Sequence, residues 1–419
     1  MSDPGQPGAQ QETEARGPGK PVPSTPQVSK RQVSKAQVSR KPLSRKPLSK
    51  AARERRVRTF LRRPAFRMLF LLPAGAALLV GLNAGLQLLG ADAPLKLDRF
   101  PEIHGMLLVL SFVGTVIALE RTVALGKAAG YLSPALLGVA GLFMISPLPL
   151  LVGKLVLLAG TIAMLLVYVP LWRRQRDNVV LIQVLGGVTA VGAAALWLRV
   201  PNVAVLLPFL ISFVVLTIAG ERLELARIGI TSPRAEPILT ALAFGMTMAT
   251  VATLLWPAAG YPLFGLSLLA MVAWLAGFDA ARKTIRGQGL PRYIAACLLA
   301  GYGWLAIAGV VLALHDTTLT GASYDVVLHS VFLGFTLSMI MAHAPVILPA
   351  VLRKPLPYTE LFWVPAVLLH LSLLLRLGLG DAAGIQGAWV AGGVLNVISI
   401  LLFAVMAFWQ ATHPPKVAA

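Results

Sequence analysis

From residue 68 onward the chain is a succession of apolar runs of 17 or more residues, nearly free of charge and separated by short polar joints. A run of that length crosses roughly 30 Å of hydrocarbon as a helix. Only a structure that satisfies its backbone groups internally survives there. Composition agrees: 57% of the 419 residues are hydrophobic and 13% charged, far from the soluble norm. The sequence therefore predicts an all-α integral membrane protein. Twelve spans are expected, near 68–89, 103–125, 131–147, 150–171, 179–198, 203–219, 238–256, 262–278, 293–314, 326–350, 360–377 and 388–409. The single cysteine, Cys297, lies inside a span, cannot form an intrachain disulfide, and reads as a small core residue.

The second span repeats. Ser111-Phe-Val-Gly-Thr-Val-Ile-Ala-Leu-Glu-Arg121 lines up, 101 positions on, with Ser212-Phe-Val-Val-Leu-Thr-Ile-Ala-Gly-Glu-Arg222. Span ten opens with His329 much as span two opens with His104. Twelve spans with related second, sixth and tenth members predict three quasi-equivalent four-helix arcs, near 66–171, 172–278 and 279–413. Each of the three spans would run in the same direction, so the repeats are parallel.

Residues 1 to about 65 are different in kind. They are rich in Pro, Gly, Gln, Ser, Lys and Arg, and from Pro26 they form a pentapeptide array, PQVSK-RQVSK-AQVSR-KPLSR-KPLSK. Such a composition buries too little apolar surface to offset chain entropy, which predicts a disordered basic tail. Through Arg67 it carries 17 Lys and Arg against 4 Asp and Glu. That excess fits a cytoplasmic segment that skims anionic lipid; nothing in it reads a base or a groove of nucleic acid. With the tail inside, 15 basic residues fall on the inner side after residue 67 and five on the outer: Lys96, Arg99, Lys154, Arg199 and Arg376. The bias and the even span number predict cytoplasmic N- and C-termini, residues 414–419 forming a second short tail.

Ionisable groups inside a membrane are costly and mark function. His104 and His329 sit at matched depth, one turn below the outer edges of spans two and ten. Two readings fit: a pair of axial imidazoles for haem iron, or two interfacial histidines bonded to headgroups or loops. At 100° per residue His104 shares a face with Ser111, Thr115, Ala118 and Thr122, and His329 with Thr336, Ile340 and His343. His343 lies 14 residues beyond His329, roughly 21 Å along the axis, too far to share a metal with it. His343 and His370 are secondary candidates, each with a core hydrogen-bonding role as the alternative. Arg376 and Arg199 are the outer arginines placed to meet an anionic group, or simply to snorkel. The pairs Glu120-Arg121 and Glu221-Arg222 read as anchors at inner helix ends, with proton entry as the other option for the glutamates.

Three four-helix arcs with histidines at the outer ends of spans two and ten resemble the catalytic subunit of the heme-copper oxidases. More closely, they resemble the NnrS family of haem- and copper-containing membrane proteins linked to nitric oxide metabolism. The resemblance implies a bacterial inner (plasma) membrane protein in which His104 and His329 hold a low-spin haem b. It also implies propionate contacts near Arg376 and a sensing, protective or electron-transfer role, the last with an electron-transfer partner. In the oxidases, spans six and seven supply copper-ligating histidines; here neither span has one. A copper site, a binuclear centre and oxidase-type enzyme activity are therefore not expected. The alternative from another class is a transporter of a small hydrophobic or anionic solute, against which the spans offer no conspicuous carboxylate.

Overall fold

A computed structural model describes residues 56, 59–61, 63–226 and 232–413. The pentapeptide array and the closing residues 414–419 lie outside that set, and with them the expectation of a disordered tail. All described regular elements are helical. Among the described residues twelve helices are long and apolar enough to cross a membrane: α1 Pro64–Leu88, α2 Phe100–Leu125, α3 Ala128–Ile145, α4 Leu150–Gln175, α5 Asn178–Leu196, α6 Val203–Leu225, α7 Ala235–Leu255, α8 Pro257–Phe278, α9 Gly289–Ala313, α10 Gly321–Val351, α11 Glu360–Ala382 and α12 Gln386–Thr412. The protein is a multi-pass membrane protein.

Local chemistry sets the helix ends. Asp177 caps α5, its Oδ1 accepting from Val179 N at 3.1 Å. The helix containing Arg121 stops at Gly126 in the left-handed conformation, φ 70°. Arg176 and Arg353 take the same conformation after α4 and α10, with φ 47° and 53°.

Three helices are the most enclosed. The most apolar windows of α2, α6 and α10 are 67%, 83% and 78% buried, against 56% or less in the other nine. The outer helices instead turn apolar stripes away from the protein. On α4, Leu151, Leu155, Ile162, Leu166 and Val169 are exposed at helical spacing, while Leu157, Met164, Tyr168 and Leu171 of the same helix are core. That division suits a lipid-facing surface, where exposed leucine costs nothing. Neighbours in sequence pack on each other throughout: α1 on α2, α3 on α4, α5 on α6, α7 on α8, α9 on α10 and α11 on α12. Between these, α4 meets α5, α8 meets α9, and α12 returns to α1. In the middle, α10 touches both α2 and α6.

Packing begins ahead of α1. Leu61 is buried with Leu119, Tyr131 and Val351. Its carbonyl accepts from Arg67 Nε at 3.0 Å and Tyr131 Oη at 3.2 Å, and Arg67 also donates to Val351 O at 2.6 Å. Cys297 is buried and unpaired, as a core residue should be.

Candidate functional site

Two polar clusters lie at opposite ends of the central helices. The first is built on the opening turns of α2 and α10. His104 sits where α2 crosses α1, and its Nδ1 is 2.7 Å from the carbonyl of Gly81. Gly85, one turn further along α1, faces the ring: a Cβ there would stand 3.2 Å from His104 Cε1. A carbonyl can only accept, so Nδ1 carries the proton and Nε2 keeps its lone pair. On α10, Asp325 and His329 are four residues apart and share a face. His329 Nδ1 is 3.0 Å from the Asp325 carbonyl and 3.1 Å from its Oδ1. Both are acceptors, so Nδ1 is the donor, and in the neutral ring Nε2 is the nitrogen that keeps a lone pair. An imidazole held at Nδ1 by a carbonyl or carboxylate is the arrangement that fixes tautomer and ring orientation in histidines that bind metal. The His104 ring also lies within electrostatic reach of His329, Arg376 and Asp325.

Asp325 organises this end. Arg376 of α11 grips it through both oxygens, Nε to Oδ2 at 2.9 Å and Nη2 to Oδ1 at 2.8 Å. Trp389 of α12 donates Nε1 to Oδ2 at 3.2 Å, and the guanidinium lies 5.2 Å from the Trp389 ring centroid. The expectation of no conspicuous carboxylate in the spans fails at this residue. Asp325 lies just inside α10, which starts earlier than its apolar run, and partner charges offset its burial. Its four-residue spacing from His329 was a legible signal. Asp381 of α11 is a second carboxylate close by, its Oδ2 buried without a hydrogen-bond partner among the described residues.

The other candidates are not part of this group. Arg199 is exposed in the joint before α6, with no side-chain contact to His104, His329 or Asp325 among the described residues. His370 accepts from Trp304 Nε1 at its Nδ1, 3.0 Å away, bracing α11 on α9. His343, at the far end of α10, accepts at Nε2 from Arg222 Nη1 at 3.0 Å. Each has the nitrogen a metal would need occupied by a donor.

Arg222 belongs to the second cluster. It binds Asp279 through Nε and Nη2 at 2.7 and 2.8 Å. Tyr302 Oη and Ala281 N also donate to Asp279, each at 2.9 Å. Burial works against the Asp279 charge, but the Arg222 guanidinium and these donors outweigh it and hold the carboxyl below its ordinary value. The network ties α6, α9 and α10 to the turn after α8. Arg121 of α2 meets Glu120 at 2.5 Å, Glu224 at 3.2 Å and Glu221 at 3.8 Å. The Glu-Arg pairs thus make the neighbour contacts expected of anchors.

Three π-helical stretches occur among the described residues, and they fall in three of the helices that build the histidine cluster, α2, α10 and α11. They are Leu107–Val113 just after His104, Ser330–Leu337 directly after His329, and Leu374–Ala382 around Arg376. A π-turn widens the helix and advances each residue less than 100°, so the faces drawn at uniform pitch do not carry through. Ser111, placed on the His104 face by that pitch, donates instead to Leu137 O of α3 at 2.9 Å. Such stretches gather at functional sites.

No curated protein and no solved structure matches the chain. One family model does, and it covers residues 67–412, all of α2 to α12 and nearly all of α1. The chain belongs to the family defined by that model, the domain of unknown function DUF8744.

Proposed function

We propose that this protein binds a haem b through His104 and His329 and is an NnrS-like membrane protein with a sensing, protective or electron-transfer role in nitric oxide or respiratory metabolism. The observation that carries the reading is the matched state of the two imidazoles. Each is anchored at Nδ1 by an acceptor, which in the neutral ring leaves Nε2 with the lone pair that iron requires. When bound, such a haem would supply one-electron exchange. The protein's own residues do the rest: Gly81 orients His104, Asp325 orients His329, and Arg376 with Trp389 holds Asp325. The three-arc arrangement is part of the proposal, supported by the enclosure of α2, α6 and α10 and by the packing of α12 on α1. So is the orientation with both termini cytoplasmic, which a reporter after Ala419 active only outside the cytoplasm would overturn.

The test is the optical spectrum of the full chain purified from haem-replete cells. The wild type should show a Soret band and sharp reduced-state bands. His104→Ala and His329→Ala should each abolish or markedly change them, whereas His343→Ala and His370→Ala should leave them nearly intact. Asp325→Asn should keep the haem but shift the spectrum, because it alters the hydrogen bond behind His329. A wild type with no Soret absorption sinks the reading. In that event the transporter gains, since Asp325 and Asp381 are carboxylates within the spans of the kind that a cation- or proton-coupled carrier needs.

A further inference from the structure

At the end of α2 remote from His104, several buried polar atoms converge without partners. Tyr168 of α4 is fully buried, and so is Gln183 of α5. The Tyr168 hydroxyl and Gln183 Nε2 have no hydrogen-bond partner among the described residues, and neither do Arg121 Nε, Glu221 Oε1 and Thr217 Oγ1. These atoms belong to one place. Arg121 Nη1 donates to Gln183 Oε1 at 3.3 Å, which brings the Gln183 amide to the guanidinium. Charges on Arg121, Glu221, Glu120 and Glu224 all reach the Tyr168 ring. Thr217 is one turn before Glu221 on α6, its hydroxyl against Gly186 of α5, where a Cβ would stand 3.0 Å away.

Each buried donor or acceptor left unmet keeps the full cost of its desolvation. Two or three waters would satisfy them, and the site is polar enough to hold water. Charge crowds here as well. Among the described residues Glu120, Glu221 and Glu224 all face the Arg121 guanidinium, while Arg222 makes its hydrogen bonds to Asp279 and His343. Of the other helices packed on α6, α7 brings Glu236, which accepts from Asn178 Nδ2 at 2.9 Å. The titratable group facing this region from α10 is His343. Exposure falls in steps through the glutamates, from 48% of the side chain at Glu224 to 21% at Glu120 and 9% at Glu221. The outermost carboxylate is exposed; the innermost is within electrostatic reach of the Tyr168 hydroxyl, and its neighbour Gly220 packs on the Gln183 side chain.

We propose that this cluster is a water-bearing proton site, in which the Glu221 carboxyl holds an exchangeable proton taken from the aqueous phase by way of Glu224 and Glu120. Its ligand is a proton with a few bound waters, hydrogen-bonded to Tyr168, Gln183 and Thr217. A proton on Glu221 turns the unmet acceptor into a donor and removes one of the negative charges that crowd Arg121. The site does not depend on the haem reading; it would serve a redox protein or a carrier equally.

Infrared difference spectroscopy of the full chain in detergent micelles, in H2O and D2O at pH 7, tests this with the proton itself as the probe. The wild type minus Glu221→Gln difference should contain the carbonyl stretch of a protonated carboxyl, shifted on deuteration. Glu224→Gln should retain that band, and Tyr168→Phe should move it by removing a hydrogen-bonding partner. A difference spectrum with only ionised-carboxylate bands for Glu221 overturns the proposal, as does a protonated band that never exchanges with D2O. Should Glu221→Gln fail to fold, Tyr168→Phe and Gln183→Leu decide alone: protonated-carboxyl bands identical to wild type in both overturn it.

Discussion

Asp279 illustrates how much one residue carries when its whole hydrogen-bonding capacity is used. It is buried, receives two bonds from Arg222 and one each from Tyr302 and a backbone amide, and is held below its ordinary value of 3.8. Removing one member of such a pair strands a buried guanidinium, at a cost of about 3–5 kcal/mol. Asp279→Asn should therefore lower the melting temperature of the solubilised protein sharply at pH 7. The sign of the pH dependence follows from the depressed folded value. The stabilisation is fully present above 3.8 and is lost as pH falls through the lower folded value. The gap between wild type and Asp279→Asn should be constant from pH 7 down to about 4 and close below it; a gap that widens in acid contradicts the assignment. Asp279 was not singled out in the sequence, because it lies at the end of an apolar run and its partner is 57 positions away.

At the scale of elements, close helix contacts decide where Arg376 points. Gly392 of α12 faces the backbone of α11 at Arg376: a Cβ there would fall 2.6 Å from its N and 2.8 Å from its Cα. Backbone cannot swing aside as a side-chain tip can, so Gly392→Ala must push the two helices apart. We expect a loss of about 1–3 kcal/mol, read as a lower melting temperature. The Trp389 fluorescence should change with it, since Trp389 shares Asp325 with Arg376. Gly303 of α9 is the control: it is exposed and a Cβ meets nothing within 4 Å. Gly303→Ala should be neutral or slightly stabilising, by up to about 1 kcal/mol of helix propensity. Equal losses at both positions would mean that the contact at Gly392 is not what matters. The π-stretches belong to this scale too. The pattern of apolar residues is the same in a wide turn as in a regular one, so nothing in α2, α10 or α11 announced them.

For the whole molecule the question is where the folded unit starts. Leu61 is enclosed by residues of α2, α3 and α10, and Arg67 links its carbonyl to Val351. Deleting residues 2–55 should leave the melting temperature of the membrane region unchanged. Deleting residues 2–63 should lower it, because the buried Leu61 and the carbonyl that satisfies Arg67 and Tyr131 both go; burying a leucine contributes about 1.5–3 kcal/mol. Thermal unfolding of the two truncations side by side distinguishes them, and equal values would show that residues 56–63 add no stability.

Twelve membrane helices could be read directly from the chain, because a bilayer asks only for length and apolar content, and both are local properties. That His104 and His329 lie near the starts of α2 and α10 was legible for the same reason, although α10 begins at Gly321 and so places His329 deeper in its helix than His104 is in α2. Their surroundings were not. The Gly81 carbonyl behind His104 and the Arg376 and Trp389 contacts to Asp325 join positions 23 to 64 apart. The Arg222 contact to His343 spans 121 positions. Which nitrogen of His104 is held, which histidine is a strut and which glutamate oxygen lacks a hydrogen bond depend on contacts of fixed length and direction between separate helices. Those bonds exist only once the helices have packed, and the tertiary structure alone decided them.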